Sequence, residues 1–245
     1  MNVFLTGATG FLGQYLLAEL IERGHTVWAL YRNESKRRDT EGFLGSLELP
    51  SLDKNLRWFQ GDVLEAGDRW DDWRRKHPSL EEVDTVLHNA ASLRFKVNEF
   101  GDPFSTNVGG AKALRKIRDR QPVNVHIMST VAVGGFDEGE VLFEVNHPRH
   151  DFLNAYEQSK WEAEQMWVGE ATIFRPGLIV GHSQTGRCVG FTGWYKIVNA
   201  VHLLSQFLDR VPDCPRFDLG INIPANPGGY ADTTLITSGF TVTRA

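Results

Sequence analysis

The stretch Val3-Phe4-Leu5-Thr6-Gly7-Ala8-Thr9-Gly10-Phe11-Leu12-Gly13 decides the fold. Residues suited to a buried strand run straight into glycines at positions 7, 10 and 13, and an amphipathic segment follows at once. Glycines at that spacing carry meaning only between a strand and a helix, and both flanks are present here. Gly7 permits a tight turn, Gly10 lets backbone N–H groups approach a pyrophosphate, and Gly13 lets the helix lie close on the strand. Thr9, Phe11 and Leu12, between those glycines, lead into a helix whose amino end offers unpaired donors and partial positive charge to an anion. A glycine-rich turn that binds nothing would look similar in isolation. Strand, spacing and helix together favour a dinucleotide cradle.

Outward from this stretch, short runs rich in β-branched and aromatic residues stand at 3–6, 26–31, 56–59, 85–88, 123–128 and 172–174, and read as strands. Between them lie helical patterns. Phe11, Leu12, Tyr15, Leu16, Ala18, Leu20 and Ile21 recur at three- and four-residue intervals before Arg23-Gly24, as do Phe104, Val108, Ala111, Leu114 and Ile117. Strand–helix alternation predicts parallel strands covered on both faces, a Rossmann-type doubly wound α/β sheet. Ligands bind such sheets outside the carboxyl ends of the strands, where the winding reverses. The rhythm weakens after Gly177, and from Phe217 onward only Asp218, Asp232 and Arg244 are charged. Residues 1–177 are therefore expected to form the dinucleotide-binding domain. Residues 178–245 are expected to form a small, shortened carboxyl-terminal substrate region without independent stability.

The chain has 245 residues, 41% of them hydrophobic, which excludes disorder as the default. Its 26 basic against 31 acidic side chains give a formal charge of -5, which argues against nucleic acid or an anionic membrane as the main partner. Cys188 and Cys214 are the only cysteines; they form no disulfide framework and fit a reducing compartment. No run approaches the roughly 18 apolar residues of a membrane helix. Met1-Asn2 leads directly into the first strand, without a signal-peptide pattern. The expected location is the cytoplasm.

The second strand ends at Tyr31-Arg32 where an acidic residue would bond an adenosine 2′-hydroxyl. A guanidinium instead suits a 2′-phosphate, so NADP is favoured over NAD. Glu34 keeps that question open, and Lys36–Arg38 can be read as a solvated loop. Asp62, followed by Val63, is placed to meet the adenine amino group or simply to make a turn. His88-Asn89-Ala90-Ala91 ends the fourth strand in small residues that allow close approach to a cofactor.

Tyr156 and Lys160 are four apart in the helical segment 154–168 and so share a face. A phenol ionises near pH 10, and a neighbouring ammonium is expected to lower that value and make an acid–base pair. A surface helix pair is the plain alternative. Ser129-Thr130 closes the fifth strand and places a hydroxyl where a substrate carbonyl oxygen would lie. Asn107 is read either as polarising a water behind Lys160 or as a helix cap. His147 and His150 flank a proline, no HExxH occurs, and no metal is expected. No GxSxG elbow supports a hydrolase. Trp70 and Trp73 are read as core cover.

These residues resemble the extended short-chain dehydrogenase/reductase superfamily. Within it the chain is similar to the thioester-reductase and fatty-acyl-reductase (male-sterility-like) branch. The similarity rests on residues 4–13, on Leu87-His-Asn-Ala-Ala-Ser92 with Phe95, and on Asn107-Val-Gly-Gly110. It rests further on Tyr156-Glu-Gln-Ser-Lys-Trp-Glu-Ala-Glu164 and Arg175-Pro-Gly-Leu-Ile-Val-Gly-His-Ser-Gln-Thr-Gly186. It implies an NADPH-dependent reductase in which Thr130, Tyr156 and Lys160 match the catalytic threonine, tyrosine and lysine, and Pro176-Gly177 flank the nicotinamide. The implied substrate is an acyl thioester on coenzyme A or a carrier protein, reduced to aldehyde or alcohol. The chain departs from that pattern at Ile223-Pro-Ala-Asn-Pro-Gly-Gly-Tyr-Ala-Asp232 and ends at Ala245, which puts thioester specificity in question. A ketone reductase or nucleotide-sugar epimerase of the same superfamily is the alternative enzyme. An NADP-binding sensor is the alternative from another class.

Overall fold

The computed structural model describes residues 1–134 and 152–181, with short pieces at 195–196, 199–200, 202–203, 206 and 242–243. Seven strands form one sheet: β1 (Asn2–Thr6), β2 (Thr26–Tyr31), β3 (Leu56–Gln60), β4 (Thr85–His88), β5 (Asn124–Met128), β6 (Thr172–Phe174) and β7 (Val242–Thr243). Their order is β3-β2-β1-β4-β5-β6-β7. The first six pair in parallel, with Phe4 facing Trp28 on one side and Val86 on the other. β7 adds an antiparallel edge that the sequence reading did not contain. The winding reverses between β1 and β4, so the Rossmann-type doubly wound sheet is confirmed. The chain divides into two compact units, Met1–Gly177 with Phe240–Ala245 and Leu178–Gly239. In the second unit Gly181 N–H donates to the Tyr195 hydroxyl at 2.5 Å.

The helices are α1 (Phe11–Glu22), α2 (Glu34–Gly45), α3 (Leu52–Asn55), α4 (Val63–Lys76), α5 (Phe104–Arg120) and α6 (Ala155–Gln165). α1 ends as its sequence predicts, with Gly24 in the left-handed region at φ +78°. α4, α5 and α6 pack side by side over the face that carries Phe4, Trp28, Leu30, Val86, Val125 and Ile127. Alternation along the strand turns Val3 and Leu5 to the other face. The core under α4 is aromatic: Phe4 meets Trp70 edge-on at 5.1 Å, and Phe59 meets Trp73 at 4.8 Å. Trp70 Nε1 is satisfied by Gln121 Oε1 at 3.0 Å, which lets so large a ring be fully buried. Trp70 and Trp73 thus cover the core. Among the described residues no helix is long and apolar enough to cross a membrane.

Residues Lys36–Arg38 are not a loop. Asn33 caps α2 by accepting from Lys36 N–H at 3.1 Å, and Arg37 and Arg38 both bond Glu34 one turn back. Arg37 also stacks over Tyr31 and Trp58. Spacing of three and four residues from Glu34 makes these basic side chains partners within the helix.

Candidate active site

Every parallel strand delivers a sequence-predicted residue to the same edge of the sheet. β1 runs into Gly7, β2 into Arg32, β3 into Asp62, β4 into Asn89, Ala90 and Ala91, β5 into Thr130, and β6 into Pro176 and Gly177. The reversal between β1 and β4 places the cradle in the middle of that edge.

The cradle is built by backbone. Gly7 lies at φ +69°, and a Cβ there would stand 2.6 Å from Ala90 N. Asn89 Nδ2 donates to Gly7 O at 3.2 Å, and Ala90 N–H donates to Thr6 Oγ1 at 3.1 Å. A Cβ on Gly13 would fall 2.0 Å from Gly7 O, so glycine alone allows the helix this close to the turn. Gly10 is exposed and begins α1 without any side-chain cap. Asn33, Asp62 and Asn154, by contrast, cap α2, α4 and α6 with their own side chains. The first N–H groups of α1, at Phe11, Leu12 and Gly13, therefore lack an internal acceptor. Thr9 and the Phe11 and Leu12 side chains are half-buried beside them. An open, uncapped helix start with a glycine floor fits a dinucleotide pyrophosphate.

At the adenosine end Arg32 is exposed, and its Nη1 lies 3.2 Å from Asp62 Oδ2. Asp62 also caps α4 by accepting from Leu64 N–H at 3.0 Å. It thus has a structural role beside any contact with adenine. Val63 is buried in the aromatic core, so only its backbone remains to meet a ligand.

On α6, Tyr156 is half-buried, while Lys160 (3% exposed) and Glu164 (0%) are buried on the same face. The Thr130 hydroxyl lies near enough to the Tyr156 phenol to ease its ionisation, and it accepts from Ala132 N–H at 3.2 Å. Thr130 and Tyr156 are thereby brought together. Lys160 Nζ donates to Met128 O at 2.6 Å, at the end of β5. Burial pushes its ammonium down to about 8, with Glu164 opposing. The expected lowering of the phenol is not found. Burial raises Tyr156 above its usual value, and the nearby Thr130 hydroxyl counteracts this. Desolvation of an anion outweighs the field of an ammonium whose proton is directed at a carbonyl.

Asn107 is not a cap, since Pro103 stands at that position and Asn107 lies within α5. Its carboxamide is buried and cross-links three elements. Oδ1 accepts from Ser92 N–H at 2.8 Å, and Nδ2 donates to Ser92 O at 3.1 Å and to Ser159 Oγ at 2.8 Å. Ser159 in turn donates to Tyr156 O at 2.8 Å. Asn107 therefore holds the tyrosine helix against the loop after β4.

Two groups escaped the sequence reading. His88 is buried, shares a 2.8 Å hydrogen bond with Thr6 Oγ1, and is pushed down to about 3 by burial and then by Lys160. It is a neutral ring fitted against Gly110. Glu164 and Arg175 form a buried ion pair, with Nη2 to Oε2 at 2.6 Å. Glu164 was visible as the next residue on the Tyr156–Lys160 face. Its partner, 11 residues on in another element, had no local signal. Among the described residues no three His, Cys, Asp or Glu side chains gather as a metal group. His147 and His150 lie outside the described residues, as does the departure at 223–232.

With the glycine cradle and the Thr130–Tyr156–Lys160 group in place, comparison with known proteins is decisive. The profile of the family described as male sterility protein matches residues 5–210. The chain belongs to that family. It is a member of the extended short-chain dehydrogenase/reductase superfamily, on the thioester-reductase-like branch, and its sheet is an NAD-binding one. Glycine betaine reductase ATRR of Emericella nidulans is 28% identical over 236 residues, covering 86% of this chain and 18% of the relative. The N-acetyl-alpha-D-glucosaminyl-diphospho-ditrans,octacis-undecaprenol 4-epimerase of Escherichia coli O157:H7 is 29% identical over 195 residues, covering 76% of this chain and 51% of the relative. The terminal R domain from the myxalamid PKS-NRPS biosynthetic pathway superposes with a TM-score of 0.64 at 28% identity, covering 77% of this chain and 52% of that one. The chain thus spans about half or less of the length of these proteins.

Proposed function

We propose that this male sterility family member is an NADPH-dependent reductase of an acyl thioester, carried on a carrier protein or coenzyme A, acting in a reducing, cytoplasmic setting. The observation that carries the reading is the Tyr156 phenol beside the Thr130 hydroxyl, with a buried Lys160 one helical turn on, at the ligand edge of an NAD-binding sheet. Residues 1–177 would form the cofactor domain, with Gly7, Gly10 and Gly13 beneath the pyrophosphate and Arg32 at the 2′-phosphate. Asn89, Ala90, Pro176 and Gly177 would line the path to the nicotinamide. Bound NADPH would supply a hydride to the thioester carbonyl carbon, and breaking of the carbon–sulfur bond in the resulting thiohemiacetal would release the thiol and leave the aldehyde. The phenol of Tyr156, held un-ionised by burial, keeps a proton at neutral pH and gives it to the carbonyl oxygen. Thr130 bonds the same oxygen as negative charge develops on it. The Asn154 cap at the start of α6 fixes the helix that carries the phenol. A phenol raised rather than lowered suits the reductive direction, in which the group must arrive protonated.

The 29% identity to a nucleotide-sugar 4-epimerase supports a second reading, a sugar or ketone oxidoreductase on the same sheet. A panel of acyl thioesters, aldehydes and free ketones followed by NADPH and NADH absorbance, with nucleotide sugars followed by product chromatography because epimerisation has no net redox change, separates the two. Thioester-dependent NADPH oxidation that Tyr156→Phe abolishes is the expected result. Activity on ketones or nucleotide sugars alone overturns the thioester assignment.

A further inference from the structure

One face of α6 carries Tyr156, Lys160 and Glu164 at successive turns. The reaction proposed above uses the first two and leaves the third unexplained. Glu164 is fully buried, and a buried carboxylate is tolerated only when paired. Its partner comes from the end of β6. Arg175 Nε donates to Oε1 at 3.1 Å and to Oε2 at 3.2 Å, and Nη2 donates to Oε2 at 2.6 Å. Arg175 is itself 5% exposed.

The pair joins the two elements whose spacing the site depends on. Directly after Arg175, Pro176 O accepts from Val131 N–H at 3.0 Å, one residue beyond Thr130. Ser129 N–H donates to Phe174 O at 2.7 Å. The helix bearing Tyr156 and Lys160 is thereby fastened to the strand end and turn bearing Pro176 and Thr130. Glu164 also sits one turn along α6 from Lys160, the spacing that sets Cβ atoms about 5–6 Å apart on one helix face. Around the Lys160 ammonium stand the neutral His88 from β4 and the Met128 carbonyl from β5, with Tyr156 one turn back on α6. Glu164 is the anion that opposes the effect of burial on it.

We propose that Glu164, clamped by Arg175, is a positioning residue that acts through Lys160: it keeps the buried amine charged and holds α6 in register with the Arg-Pro-Gly end of β6. This rests on the reading of Lys160 as part of the reacting group, and its test has a readout of its own. The Lys160 side-chain resonance in lysine-labelled protein, assigned with Lys160→Met, is titrated in wild type, Glu164→Gln, Glu164→Asp, Arg175→Gln and the double variant Glu164→Gln/Arg175→Gln. Loss of the carboxylate is expected to lower the Lys160 midpoint by on the order of one pH unit. Glu164→Asp is expected to restore most of it. Glu164→Gln strands a buried guanidinium and is the variant at risk of unfolding. The double variant removes both charges and keeps the measurement open. The pH midpoint of turnover, with whichever carbonyl compound is reduced, is expected to move down with the resonance. A Lys160 midpoint in the folded double variant no lower than in Arg175→Gln, from which it differs only by the carboxylate, overturns the proposal and leaves the pair a purely structural bond. A moved midpoint in a protein that reduces no carbonyl compound sustains the proposal while refuting the reductase.

Discussion

Lys160 places an amine where water cannot solvate its charge, and replacing it with methionine is expected to make the protein more stable. In the folded chain its pKa falls from 10.5 to about 8, chiefly through burial. The folded state then binds fewer protons than the unfolded state. The resulting cost is full below about pH 8, shrinks between pH 8 and 10.5, and is gone above that range. At about 1.4 kcal/mol per pH unit, this is about 3 kcal/mol at neutral pH. Methionine has a similar length and carries no charge, but it loses the 2.6 Å bond to Met128 O, worth about 1.5–3 kcal/mol for a charged donor. Burial wins narrowly, and Lys160→Met gains about 1 kcal/mol, or roughly 2–4 °C in melting temperature for a chain of this size. Thermal melts of wild type and variant at pH 7, 8, 9 and 10 measure it. The gap should narrow steadily across the series, because every other titrating group cancels in the comparison. A variant that melts below wild type at pH 7, or a gap indifferent to pH, refutes the argument.

Asn107→Ala removes one buried and two partly buried hydrogen bonds and leaves Ser92 and Ser159 each short of a partner. It is expected to cost about 2–4 kcal/mol, read from the urea midpoint. Gly13→Ala forces a Cβ to within 2.0 Å of Gly7 O; it should abolish dinucleotide binding by calorimetry and lower stability by about 1–3 kcal/mol or more. Arg32→Ala breaks only an exposed pair with Asp62, so the melting temperature should hardly move. The preference for NADPH over NADH should collapse, and a preference that survives removes the 2′-phosphate role of Arg32.

Local pattern carried the sheet because its strands are short apolar runs and its glycines are forced by contacts as close as Gly13 to Gly7 O. The edge that collects Gly7, Arg32, Asn89, Thr130 and Pro176 followed from strand order alone. Pairings across elements were not legible. Nothing near Asn107 in the chain announces Ser92 and Ser159, and nothing near Glu164 announces Arg175. Signs of electrostatic effects were equally hidden: helical spacing put Lys160 beside Tyr156, but only burial decides that the phenol moves up. Lys36–Arg38, open to reading as a solvated loop, belong to a helix because Glu34 pairs with Arg37 and Arg38 one turn on.

The indoles stacked beneath α4 make the domain a self-reporting optical instrument. Trp73 lies directly under Gly61, next to the Asp62–Arg32 corner, with Trp70 behind it. Reduced nicotinamides absorb light in the band where indole fluoresces, so cofactor docking would dim this emission by energy transfer. Occupancy could be followed in real time without a dye, a label or a substrate.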